Sequence, residues 1–358
     1  MIEIELEQNL LLQLNILLWM ARPGKTSWIN PYYYKQGYEI YMIEPELSLP
    51  PKILKILKEN DIKTLKNPHP EFVLFNKDEN IFILVECKTR GFDLTREDNR
   101  KTQQAMALLC FNGDIIADSF GEKDDLDYQA FLCYNLVITD YIKEFARNLH
   151  EKKEYILQKR INKVNSSGVS YFENDDNQIY LVHVEEENDK AFCNILNFKK
   201  RIQVMTDESD SITPPLYLIP VEPSSNDDYA KVVFYKRLKS RLGSLLANYP
   251  EDQDEIVLDT DSDILNYIIP VWGNWGNRDS KSYVRRKTSD CVKETLNLLD
   301  NKIEKFKYAR ITNGFKLINY TREVREKVKR EYMKSEIRKE DNNKKFIKYL
   351  NNQMKFDF

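Results

Sequence analysis

The chain has few residues of the types that build zinc sites and disulfide frameworks. Its 358 residues include five cysteines and three histidines, and no two cysteines stand in a C-x-x-C spacing. Zinc sites need clustered Cys and His ligands, and small disulfide-stapled domains need a dense, even set of cysteines. We therefore expect neither kind of site, and the sparse cysteines favour a reducing compartment such as the cytoplasm.

A membrane-spanning pattern is also missing. A transmembrane helix needs roughly 20 consecutive apolar residues, and the apolar run at 10–20 is shorter than that. Glu3, Glu5 and Glu7 precede it, where a secretory signal would carry basic residues. The run predicts a buried helix that ends before Pro23-Gly24, and we expect no membrane partner.

An overall excess of positive charge is absent as well. The formal net charge is -3 and the pI is about 5.9, so a surface for nucleic acid would have to be local. Charge is segregated along the chain, because residues 302–358 contain 17 Lys and Arg against 8 Asp and Glu. This basic stretch is interpreted either as a solvated helix surface or as a contact with phosphate.

Two segments near residue 70 carry charged residues beside apolar runs. Pro70-Glu71 precedes one run, and Glu86-Cys87-Lys88 ends the next. Because side chains alternate between the faces of a strand, Glu86 and Lys88 share one face. The polar residues 76–80 predict a turn, and an antiparallel hairpin would bring Glu71 beside Glu86.

Two carboxylates and a lysine that converge in this way suit a hard divalent cation and a phosphate substrate. Mg²⁺ takes carboxylate and water oxygens and keeps several waters when it binds phosphate. The cation would activate a bound water and neutralise charge on a phosphodiester, while Lys88 would orient the water or stabilise the transition state. The residues therefore predict a site for Mg²⁺ or Mn²⁺, held by Glu71 and Glu86, that hydrolyses nucleic acid.

At these residues the sequence resembles the PD-(D/E)xK nuclease superfamily, over roughly residues 1 to 140. By that resemblance Glu71 stands at the first acidic position, where aspartate is commoner, Glu86 stands at the second, and Lys88 is the lysine. Many members carry a glutamine on the next helix, and Gln104 takes that role here, with Gln103 as the alternative; the tyrosine of the QxxxY form is missing. Glu7 would be an additional metal ligand from the first helix.

The resemblance implies an α/β fold with a restriction endonuclease-like core, a mixed sheet flanked by helices, followed by a C-terminal α+β and helical domain. We expect the nuclease core at 1–145, an α+β domain at 146–300 and a basic helical segment at 301–358. Residues 114–117 and 131–139 are candidates for further strands of the core. Residues 232–235 predict a strand in the second region.

A less specific interpretation of the triplet stays open. The pattern of an acid, any residue and a lysine also occurs at 61–63, 151–153, 279–281 and 300–302. Glu86-Cys87-Lys88 differs from these because it ends five consecutive apolar residues, and charges on a buried strand need a partner or a metal. A catalytic site is favoured, and a structural ion pair at the exposed end of a strand is the alternative.

The C-terminal half offers two further features. A basic group, Lys281, Arg285, Arg286 and Lys287, is a candidate for phosphate contacts. The loop at 272–278 has two tryptophans and an arginine, which either stack on bases or, as we favour, anchor a turn as buried side chains.

These patterns together predict a metal-dependent DNA endonuclease with a C-terminal recognition or assembly domain, acting in defence against foreign DNA or in mobile-element processing. A homodimer or a partner protein would be needed to cut both strands of a duplex. One alternative is a noncatalytic nucleic-acid-binding or scaffolding subunit that keeps the fold. Another is a nuclease for RNA or for single strands.

Overall fold

A computed structural model describes residues 10–22, 30–122, 126–137, 140–161, 163–175, 178–184, 201–204, 228–248 and 255–334. The chain divides into two units. The first unit comprises Met1–Leu218 with Asn274–Arg278, and the second comprises Ile219–Gly273 with Asp279–Phe358. Among the described residues, no helix is both long enough and apolar enough to cross a membrane.

The first unit is built on a seven-stranded mixed sheet in the order β1 to β7, so the α/β class is confirmed. Its strands are β1 (Tyr38–Ile43), β2 (Phe72–Asn76), β3 (Ile81–Lys88), β4 (Gln129–Leu136), β5 (Ser166–Asp175), β6 (Gln178–Val184) and β7 (Arg201–Gln203). Its helices are α1 (Leu10–Met20), α2 (Tyr32–Lys35), α3 (Pro51–Glu59), α4 (Arg100–Leu108), α5 (Gly113–Phe120) and α6 (Ile142–Gln158). Strands β3, β4 and β5 are parallel, and the other neighbours are antiparallel.

The predicted hairpin is formed by β2 and β3, in which Phe72 pairs with Val85 and Asn76 with Ile81. Asn76 stabilises the turn, because its Oδ1 accepts hydrogen bonds from the backbone N–H groups of Asp78 and Glu79 at 3.1 and 3.2 Å. Seven of the eight residues of β3 are buried. Glu86 is therefore buried near the end of this strand, and only Lys88, its last residue, is partly exposed.

One predicted strand is wrong. Residues 114–117 lie in helix α5, whose ends carry strong local signals. The Asn112 side chain accepts a hydrogen bond from the Ile115 N–H at 3.0 Å, and Gly121 ends the helix in the left-handed region at φ 72°. The candidate at 131–139 does contribute a strand, β4, which pairs with β3.

The division of the chain differs from the predicted boundary at residue 145, which lies within α6. Strands β5–β7 continue the sheet of β1–β4, with β5 pairing in parallel with β4. The polar residues 166–168 are the start of β5, where their backbones pair with 131–133. Pairing with a buried strand satisfies the backbone hydrogen-bonding groups of these polar residues.

The second unit combines helices with a three-stranded antiparallel sheet. Its elements are α7 (Asp228–Ala247), β8 (Ile256–Asp259), a π-helical turn (Thr260–Leu265) that runs into α8 (Asn266–Ile268), α9 (Arg278–Lys302), β9 (Lys307–Ile311), β10 (Gly314–Ile318) and α10 (322–334). The sheet order is β8-β10-β9. The strand predicted at 232–235 is wrong, because these residues lie inside α7. Residues 307–318, expected to be helical, form a hairpin.

Candidate active site

The hairpin brings together the three charged residues that the sequence singled out. Lys88 lies between two carboxylates, with its Nζ 2.5 Å from Glu86 Oε2 and 3.3 Å from Glu71 Oε1. Glu71 stands just before β2, and its backbone N–H donates to the Val85 carbonyl at 3.0 Å. The antiparallel pairing and the alternation along β3 together produce this convergence.

Gln104 joins the site from the middle of α4. Its Nε2 donates hydrogen bonds to Glu86 Oε1 at 2.7 Å and to the His69 carbonyl oxygen at 2.8 Å. Gln103 points elsewhere, because its Nε2 donates to the Glu97 carbonyl at 3.0 Å. The structure thus places Gln104, the glutamine assigned from the sequence, against the carboxylate of Glu86.

The site is strongly asymmetric in burial. The Glu86 side chain is 0% exposed, whereas those of Glu71 and Lys88 are 25% and 20% exposed. Burial raises the pKa of Glu86 to about 7, and the charge of Glu71 adds to the rise, although Lys88 and Gln104 oppose it. Burial alone would lower the pKa of Lys88, but the charges of Glu86 and Glu71 outweigh it and raise that pKa.

The donor set fits a hydrated divalent cation. Mg²⁺ is commonly bound in proteins by one or two carboxylates, with waters and substrate phosphate completing its shell. Glu71 and Glu86 supply two carboxylates at the partly exposed end of a buried strand. Glu7, the predicted third ligand, lies outside the described residues, and within the described part of the chain no three His, Cys, Asp or Glu side chains form a metal-holding cluster.

The sequence did not indicate that contacts of Glu44, at the end of the edge strand β1, support this site. The backbone N–H of Glu44 donates to the Glu71 carbonyl at 2.8 Å, and Glu44 adopts a left-handed φ of 46°. Trp275 Nε1 donates to Glu44 Oε2 at 2.9 Å, across 231 residues of sequence. No local signal indicates such a contact, because it depends on the return of a distant segment to β1.

A second neighbour that the sequence did not reveal is Tyr134 on β4. It pairs in register with Glu86, and its side chain is completely buried. Its hydroxyl makes no hydrogen bond with the described residues, while burial, and after it the charge of Glu86, raise its pKa well above the ordinary value. Tyr134 thus keeps a neutral hydroxyl beside the buried carboxylate.

The predicted phosphate-binding group lies on α9 of the second unit, and its four members are not equivalent. Arg285 forms a bidentate pair with Asp261, with nitrogen to oxygen distances of 2.5 to 3.0 Å. Lys281 lies over the Trp272 ring at 5.3 Å, and Arg286 and Lys287 lie over Tyr283 at 5.5 and 5.7 Å. Arg285 is therefore already neutralised by a carboxylate.

The tryptophans of the loop at 272–278 are buried, as we favoured. Trp272 is 2% exposed and Trp275 is 4% exposed. Neither indole face is open for stacking on a base.

No protein family model, curated protein sequence or solved structure matches the chain. The chemistry of the site is therefore interpreted from the residues of this chain.

Proposed function

We propose that the protein is a Mg²⁺- or Mn²⁺-dependent DNA endonuclease of the PD-(D/E)xK type. The observation that carries the proposal is the cluster of Glu71, Glu86 and Lys88, with Gln104 bonded to the buried carboxylate of Glu86. A fully buried carboxylate on a central strand is costly unless a cation compensates it. The cluster lies at a strand end where the side chains of Glu71 and Lys88 are partly exposed.

The order of elements supports the same proposal. Apart from the additional helices α2, α3 and α5, the chain runs α1, β1, the β2–β3 hairpin, α4 and then β4 in parallel with β3. This is the order of helix, strands, helix and strand that the resemblance to the restriction endonuclease-like core implies.

Each residue of the cluster has a separate role in the proposed reaction. Glu71 and Glu86 would hold the divalent cation, which when bound would lower the pKa of a water and neutralise charge on the phosphate. Lys88 donates hydrogen bonds to the attacking water or to a phosphate oxygen, and its raised pKa keeps it a cation. Gln104 fixes the orientation of Glu86 by donating to Oε1.

The biological setting that we propose is defence against foreign DNA or the processing of mobile DNA in the cytoplasm. One unit of this kind carries one such site, so a homodimer or a partner protein would supply the second site for cutting both strands.

The test is cleavage of supercoiled plasmid, linear duplex, single-stranded DNA and RNA by the purified full chain in Mg²⁺, Mn²⁺ or EDTA. The proposal expects cutting of duplex DNA with either cation and none in EDTA. Cutting that persists in EDTA would contradict the metal-dependent mechanism. Cutting of RNA or single strands alone would replace DNA duplex as the substrate.

A further inference from the structure

The second unit arranges a long helix beside a hairpin. In chain order it has α7, β8, the turn and helix at 260–268, α9 and then the β9–β10 hairpin, and β8 pairs with β10. This is the order of elements and of strands in a winged helix-turn-helix, here with a nine-residue link before α9 in place of a short turn. Topology alone does not establish a function, so the surface of α9 has to be considered.

The buried face of α9 is clearly defined. Val284, Thr288, Val292, Leu296 and Leu299 are buried, at the spacing of three and four residues that gives one helix face. An adjoining stripe, Ser282, Arg286, Ser289 and Lys293, contains no acid, and all but Ser289 are exposed. Among the described residues, neither Arg286 nor Lys293 forms an ion pair.

The hairpin is fixed against the same helix. Tyr308 on β9 donates its hydroxyl hydrogen to Asn297 Oδ1 at 2.5 Å, and Lys307 pairs with Asp300 at 2.5 Å. Arg310 lies two residues beyond Tyr308, so it shares the strand face of Tyr308 and stands nearer to the hairpin tip. Arg310 is exposed, and it has no ion-pair partner in the part of the chain that the structure describes.

We propose that the stripe on α9 and Arg310 on the hairpin form a binding surface for double-stranded DNA. An α-helix with its side chains is about 10–12 Å across, and the major groove of B-DNA is about 12 Å wide. Arg286 and the serines of α9 reach the groove, Lys293 meets phosphate, and Arg310 contacts the backbone at its edge. This rests on the proposed function only in taking DNA as the substrate.

The surface differs from the basic group read from the sequence. Arg285 is left out because its guanidinium is already held by both oxygens of Asp261. Lys293 and Arg310, which lie outside that group, are added. A cationic side chain without an ion-pair partner gains the most binding free energy from a phosphate contact. It displaces counterions from the DNA without first breaking an ion pair within the protein.

The test is equilibrium binding of the full-length protein to a fluorescent duplex of random sequence, in EDTA, over a series of salt concentrations. The variants are Arg286→Ala with Lys293→Ala, and Arg310→Ala alone. The matched controls are Arg285→Ala, from the same helix, and Arg147→Ala, an exposed arginine on α6 of the first unit. Thermal melting of each variant checks that the fold is retained, as expected for exposed side chains.

We expect the double variant to weaken duplex binding by at least about tenfold, because it loses the groove contact of Arg286 and the phosphate contact of Lys293, and to reduce the slope of log Kd against log salt by about one, for the phosphate contact. Arg310→Ala should reduce that slope by about one. Both controls should bind within about twofold of wild type. The proposed surface would be overturned if the folded variants bind as wild type does, or if the controls lose binding equally. A preference for single strands, RNA or protein would also overturn it.

Because this assay contains EDTA, it does not depend on cleavage. If the wild type does not cut DNA and the variants lose duplex binding, the proposed binding surface is supported and the proposed nuclease activity is contradicted. If the wild type cuts DNA and the variants bind the duplex as tightly as it does, the proposed nuclease activity is supported and the proposed binding surface is contradicted.

Discussion

Glu86 determines the electrostatics of the candidate site. It is fully buried, yet it has a cation on one oxygen and an amide donor on the other. A buried carboxylate that lost these partners would face a desolvation penalty of several kcal/mol. The same burial that makes Glu86 costly also makes it a strong ligand for a cation that reaches the strand end.

The protonation of Glu86 predicts a pH dependence of metal use. Burial raises its pKa to about 7, above its ordinary value of 4.5, so in the cation-free site Glu86 holds its proton below pH 7 and loses it above. A divalent cation binds the ionised form, so protons compete with Mg²⁺. We expect the Mg²⁺ concentration for half-maximal cleavage to rise by up to about tenfold per pH unit below 7.

This dependence is measured by titrating Mg²⁺ in cleavage assays at pH 6, 7 and 8. Lys88 stays protonated over this range, because the two carboxylates raise its pKa. An equal Mg²⁺ requirement at pH 6 and pH 8 would contradict the competition between protons and Mg²⁺ at Glu86.

Gln104 and Gln103 provide a matched pair of substitutions. Gln104→Ala removes the donor to Glu86, and a hydrogen bond to a charged group contributes about 1.5–3 kcal/mol. We expect kcat to fall by about tenfold or more, and the free energy of unfolding to fall by an amount of the same order as the lost hydrogen bond. Gln103→Ala removes a bond to the Glu97 carbonyl outside the site and should leave kcat within about twofold of wild type.

Single-turnover cleavage by the two variants measures this difference. Equal cleavage rates for Gln104→Ala and Gln103→Ala would contradict a role of Gln104 in cleavage.

The residues of the site were predictable to different degrees. Glu71, Glu86 and Lys88 could be placed together because a short hairpin fixes their register from local sequence. Gln104 followed from the resemblance to a family. Glu44 could not be found in this way, since its role depends on Trp275, which is distant in sequence and near only after folding.

At the scale of elements, residues 274–276 extend the sheet beyond β1. The Asn274 side chain donates to the Ile40 carbonyl at 2.8 Å, and the Gly276 N–H donates to the Ile43 carbonyl at 2.7 Å. This segment covers the end of β1, next to Glu44, which follows the strand and bonds Glu71. An exposed edge is thereby paired, and the site gains a fixed neighbour.

Gly276 in this segment and Gly273 just before it test that contact. A Cβ at Gly276 would lie 2.8 Å from Met42 Sδ and 3.1 Å from Pro45 Cα, whereas a Cβ at Gly273 would meet nothing within 4 Å. Gly276→Ala should therefore destabilise the protein by about 1–3 kcal/mol, the usual cost of overpacking. It should also lower cleavage, because β1 moves relative to Glu71.

Chemical denaturation and cleavage rates of both variants check this prediction, with Gly273→Ala as the control that should match wild type. If Gly276→Ala is as stable and as active as Gly273→Ala, the segment does not support the site.

The elements were predicted well where periodicity and caps agree. The hairpin strands β2 and β3 follow their sequence patterns closely. Residues 114–117 and 232–235 were read as strands because short apolar runs do not distinguish a strand from a buried helix. Flanking signals decide such cases, and the Asn112 cap and Gly121 were the signals that mattered for α5.

At the scale of the whole molecule, the division of the chain was the least predictable feature. Strands β5–β7 join the first sheet because β5 pairs with β4. Residues 274–278 belong to the first unit, although the residues on both sides of them in the sequence belong to the second. Composition shifts along the chain do not report such pairings, since hydrogen bonding between distant strands leaves no local signature. The fold class could be inferred from the sequence, but the extent of the sheet could not.

The most direct test of the proposed nuclease is the rate of plasmid cleavage in Mg²⁺ by wild type, Glu86→Ala and Lys88→Ala, with Glu79→Ala as control. Glu79 is an exposed carboxylate in the turn of the same hairpin, at the end away from the site. We expect Glu86→Ala and Lys88→Ala to lose cleavage by at least about 100-fold while remaining folded and DNA-bound, and Glu79→Ala to cut as wild type does. Cleavage that survives both site substitutions, or a folded, DNA-binding wild type that does not cut, would contradict the proposed nuclease and favour a noncatalytic subunit in which the cluster is a structural ion pair.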